Sequence, residues 1–113
     1  MRALDATLGV PGLPQSATGQ ATLLSGRNGA AAMGRHYGPW PGPTLHRFLQ
    51  EGDLFARAAG RHGRDGVLWA GASPPDYFAA LHRARRPMRL NVPAYAATRV
   101  GVPLPDLDAY RRG

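Results

Sequence analysis

In residues 12–28, GLPQSATGQATLLSGRN, the hydroxyls of Ser16 and Thr18 stand beside Gln15, Gly19 and Gln20, just ahead of an apolar run. The preceding residues 9–14, GVPGLP, cannot continue a helix or a central strand, so the reading predicts a helix that starts at Ser16, with Ser16 as its N-cap, and ends near Gly26. The first N–H groups of a helix have no intrahelical acceptor, and the dipole is positive there. An anion such as phosphate can rest against them. A hydroxyl at that point is placed to attack phosphorus, and the same donors stabilise the oxygens as charge develops. Gly19, in the first turn, would let a ligand or metal come close. A serine needs a base or a metal ion to activate it. Without one, capping alone explains Ser16.

Asn28 and Gly29 suit the exit turn of that helix, and residues 30–33 add a further helical turn. Residues 34–43, GRHYGPWPGP, read as an aromatic loop. Thr44 caps a helix in which Leu45, Phe48 and Leu49 share a face. A second helix starts at Asp53, with Leu54, Phe55, Ala58 and Ala59 apolar. Residues 67–70 are short, apolar and bounded by glycines, the pattern of a strand buried on both faces. Ser73 then caps a helix with Pro74 in its first turn and Tyr77, Phe78 and Leu81 facing inward. Residues 93–100 and 105–111 read as two short helices, and residues 2–4 as a second strand candidate. Helix, strand and helix in this order predict a single α/β domain over residues 1–113, with few parallel strands, many helices and long Pro/Gly loops.

The chain has 113 residues and no cysteine, which excludes disulfides, thiolate zinc sites and cysteine nucleophiles. Its 14 basic residues are all Arg and its net charge is +7, which permits nucleic acid, phosphate or acidic partners. No apolar run approaches the roughly 18 residues of a membrane span. With no signal-peptide pattern, a cytoplasmic protein is expected. The run holding Arg83, Arg85, Arg86 and Arg89 reads either as a nucleic-acid patch or as a solvated helix end. The absence of interleaved aromatics favours the second, so a small basic nucleic-acid-binding protein is the alternative. His36 either contacts a phosphate or carboxylate or packs with Tyr37 and Trp40. Arg27 and Asn28 either touch substrate or finish a helix. Asp76 is explained by capping, and Trp40 and Trp69 by packing.

PGLPQSATGQATLLSGRNGA resembles the nucleophile segment of the metal-dependent alkaline phosphatase superfamily. It is most similar to the branch of cofactor-independent phosphoglycerate mutases, phosphopentomutases and related metalloenzyme proteins. The branch pattern is matched by Gln15, Ser16, Ala17, Thr18, Gly19 and Gln20. GRHYGPWPGP and WAGASPPDYFAALHRARR extend the resemblance over most of the chain. The resemblance implies that Ser16 is transiently phosphorylated and ligates a metal, and that Thr18 and Gly19 line the phosphate site, with Arg27, Asn28 and His36 near the substrate. It also implies two divalent ions, manganese or zinc, a phosphorylated small-molecule substrate and an alkaline phosphatase-like fold. The family draws its other ligands from an Asp after the first strand and from Asp and His residues near the C-terminus. No such segments are recognisable here: Asp5 lies too close to Ser16, and Asp106 and Asp108 face apart on a helix. The expectation is therefore a fragment of a phosphohydrolase or phosphomutase, without the N-terminal and C-terminal ligand segments. Such a fragment would be inactive alone and open to completion by a second chain.

Overall fold

Glycine and proline cut this chain into short helices. A computed structural model describes residues 2–77, 79 and 90–112, with Tyr110 described by its backbone. The helices are α1 (Ser16–Ser25), α2 (Gly29–Met33), α3 (Gly42–Gln50), α4 (Leu54–His62), α5 (Val92–Arg99) and α6 (Leu107–Arg112), with a 3-10 turn at Arg64–Gly66. The boundaries have local causes. Gly26 takes φ 72° and returns its N–H to Thr22 O, which ends α1. Asn28, Asp53 and Asn91 cap α2, α4 and α5 by accepting the N–H groups of Ala31, Ala56 and Ala94. Thr44 does not cap α3; it lies inside a helix that begins at Gly42.

The expected α/β fold is not found: among the described residues there is no strand and no sheet. The nearest approach is one isolated parallel bridge, Ser73 with Asp106, where Leu107 N–H donates to Ser73 O at 3.1 Å. Val67 is extended (φ −123°, ψ 130°), but residues 67–70 are not buried on both faces, because Leu68 is 83% exposed. The physical reason lies in what the other two large side chains meet. Val67 and Trp69 pack on a cluster of Phe55, Ala96, Ala97 and Val102, so helices satisfy the apolar character that suggested a sheet. Residues 2–4 are exposed and pair with nothing. The helix expected after Ser73 is seen at residues 75–77 and 79; Phe78 and Leu81 lie outside the described residues.

Helix α1 lies at the centre and touches α2, α3, α4 and α5. Ala17 and Ala21 meet Leu45, Phe48, Leu49 and Val92 in the first core cluster. The approach of α2 to α1 depends on Gly29: a Cβ there would lie 2.9 Å from Thr18 O and 3.3 Å from Ala21 Cβ. Gly29 N–H donates to Thr22 Oγ1 (2.9 Å), which itself donates to Thr18 O (2.8 Å), so the polar groups at this close crossing are paired.

Candidate functional site

The start of α1 collects the groups that could hold an anion. Ser16 is exposed and is the first helical residue; the N-cap position belongs to Gln15, whose side chain makes no capping bond. The cap is supplied from elsewhere, since Thr18 N–H donates to Tyr37 O at 3.0 Å. Gly19 N–H closes the first turn onto Gln15 O, also at 3.0 Å. Among the described residues no acceptor takes the N–H of Ser16 or of Ala17. Gly38 passes directly over these two donors. A Cβ on it would lie 3.0 Å from Ser16 Oγ and 3.1 Å from the Ser16 and Ala17 nitrogens, so only glycine leaves this approach open.

Thr18 is fully buried beneath Ser16 and works as a latch. Its hydroxyl accepts Tyr37 N–H at 3.2 Å and lies 3.3 Å from Tyr37 O and 3.4 Å from Gln15 O as donor. Gly19 shares the first turn with Ser16, and an added Cβ would meet nothing within 4 Å. The other residues singled out by sequence are tied to their own chain. Arg27 pairs with Glu51, donates to Phe48 O at 2.6 Å and lies 4.2 Å over the Phe48 ring. Asn28 caps α2 and donates Nδ2–H to Leu8 O at 2.8 Å. His36 Nε2 lies 2.9 Å from Val10 O. Sequence reasoning missed Tyr37 and Gly38, which frame the helix start. Their only signal was a glycine before a proline in an aromatic loop, and no spacing rule connects residue 38 with residue 16.

A serine nucleophile needs a base, and the carboxylates and imidazoles are largely committed elsewhere. Asp53 caps α4 and pairs with Arg99 at 3.1 Å. Asp65 and Asp108 pair with Arg64 and Arg111. Asp106 accepts Ala109 N–H at 2.7 Å. The Thr7 hydroxyl, bonded at 2.6 Å, holds the Asp5 carboxyl below its usual pKa range. His46 stacks on Tyr95 with ring centroids 3.9 Å apart, and burial pushes its pKa below the ordinary 6.5. Among the described residues no three His, Asp or Glu side chains gather as a metal-binding group. The described residues therefore do not fit the two-ion centre that the resemblance implies. The Arg83–Arg89 run lies outside the described residues. No described helix is long and apolar enough to cross a membrane. Compared with family models, curated proteins and solved structures, the chain matches none.

Proposed function

We propose that this chain carries the phosphate-receiving serine of a phosphoryl-transfer enzyme acting on a phosphorylated small molecule, and that it does not complete the reaction alone. The observation that supports this most is the exposed Ser16 hydroxyl beside two helix-start N–H groups that lack acceptors. Such donors favour the oxygens of a phosphate, and the hydroxyl beside them is the group the superfamily pattern uses as nucleophile. Activation has to come from outside the described residues, because their carboxylates cap helices or pair with arginines away from Ser16. A second chain that supplies base or metal ligands fits this need. The cysteine-free composition fits a cytoplasmic setting.

The test is a nitrogen-15 NMR titration with inorganic phosphate and with glycerol 3-phosphate, run beside a phosphatase assay with manganese. The expected result is saturable shifts of the Ser16, Ala17 and Gly19 amides at millimolar ligand, lost in Ser16→Asp. Absence of those shifts overturns the phosphate site. The assay is expected to show no Ser16-dependent turnover by the chain alone; such turnover would refute the need for a second component.

A further inference from the structure

Residues 67–70, Val-Leu-Trp-Ala, leave the last turn of Arg64–Gly66 as an extended segment. Val67 N–H is donated to Arg64 O at 3.3 Å, while the backbone groups of Leu68 and Trp69 take no hydrogen bond among the described residues. Trp69 turns inward, edge-on to Phe55 at 6.0 Å, and Leu68 points to solvent. The segment thus has the alternation of a strand, an unpaired edge and an exposed leucine. It carries no charge and no proline, the devices that normally blunt such an edge.

We propose that this edge pairs antiparallel with the same residues of a second copy of the chain, about a two-fold axis at Leu68. One register meets every constraint. Because Val67 N–H is already used, the free bonds are the reciprocal Leu68 N–H to Leu68 O pair, which sets the two leucines opposite each other. Val67 then lies opposite Trp69 of the second copy on the inner face, and the two exposed leucines cover each other on the outer face. Arg64 and Asp65 meet Ala72 and Gly71 of the second copy, so no like charges oppose one another across the axis. A register shifted by one residue would put Leu68 on the face of Trp69 and loses this match. The interface is self-complementary, as a two-fold dimer requires. It is also small, so a dissociation constant on the order of 0.1 mM is expected.

Sedimentation equilibrium over a range of concentrations, with hydrogen exchange of the Leu68 amide, tests the pairing. The wild-type mass should rise from 12.1 kDa toward twice that value, and exchange at Leu68 should slow in step. Leu68→Lys should stay monomeric with an unchanged helical spectrum. Leu23→Lys, at an equally exposed leucine on α1, should dimerise like wild type. A wild-type chain monomeric at millimolar concentration, a dimeric Leu68→Lys, or equal loss in Leu23→Lys overturns the proposal. The concentration dependence of the wild-type Leu68 amide decides the matter if a variant fails to fold.

Discussion

Replacing Asp53 with alanine removes two interactions held by one wholly buried side chain. Oδ1 caps α4 by accepting Ala56 N–H at 2.9 Å, and Oδ2 accepts from Arg99 Nη2 at 3.1 Å. Losing a carboxylate cap costs about 1 kcal/mol. Removing one partner of a buried ion pair costs about 3–5 kcal/mol, because the other charge stays desolvated. The Arg99 side chain is 25% exposed and can turn partly to water, so the lower figure applies. Its Nε is nevertheless buried with no partner, so little else on the protein compensates. Asp53→Ala should therefore lose about 4 kcal/mol, a large share of the roughly 5–15 kcal/mol of a domain this size. Asp53→Asn keeps an acceptor for Ala56 N–H and should lose about 3 kcal/mol. Adding Arg99→Met to Asp53→Asn removes the stranded cation and should restore most of that loss. Urea unfolding followed by far-ultraviolet circular dichroism measures all three, provided the denaturant slope stays constant. If Asp53→Ala costs less than about 1 kcal/mol, or if Arg99→Met restores nothing, the reasoning about a desolvated pair is wrong.

Two glycines of α1 and α2 should respond in opposite directions. Gly29→Ala places a methyl 2.9 Å from Thr18 O and should cost about 1–3 kcal/mol, whereas Gly19→Ala meets open space within a helix and should gain about 0.5–1 kcal/mol; thermal midpoints compare them. His46 should make stability depend on pH. Its folded pKa lies below 6.5, so the unfolded chain binds more protons in that window. Stability should be full above 6.5 and fall as pH drops through it. His46→Phe keeps a ring on Tyr95 and should flatten the urea midpoint against pH.

The helices were legible where a single residue marks an end. Gly26, Asn28, Asp53 and Asn91 act through bonds to residues three or four away, and a short window contains both partners. Residues 67–70 were misread as a buried strand because a short apolar run looks the same whether a sheet or a pair of helices covers it. Ser16 fell one position inside its expected capping role because Tyr37 O already takes Thr18 N–H, a contact across nineteen residues that no local pattern encodes. Arg27 is similar: its reach to Phe48 O joins two helices that the sequence reads separately.

Six of the twelve buried apolar residues among those described are alanines: Ala17, Ala21, Ala30, Ala94, Ala96 and Ala97. Methyl groups let helix axes approach, but each hides little hydrocarbon from water. Since the heat capacity of unfolding follows newly hydrated apolar area, this chain should unfold with a heat-capacity step below the usual value for its length. Its free-energy curve should then be broad and shallow against temperature, with cold unfolding displaced further below freezing.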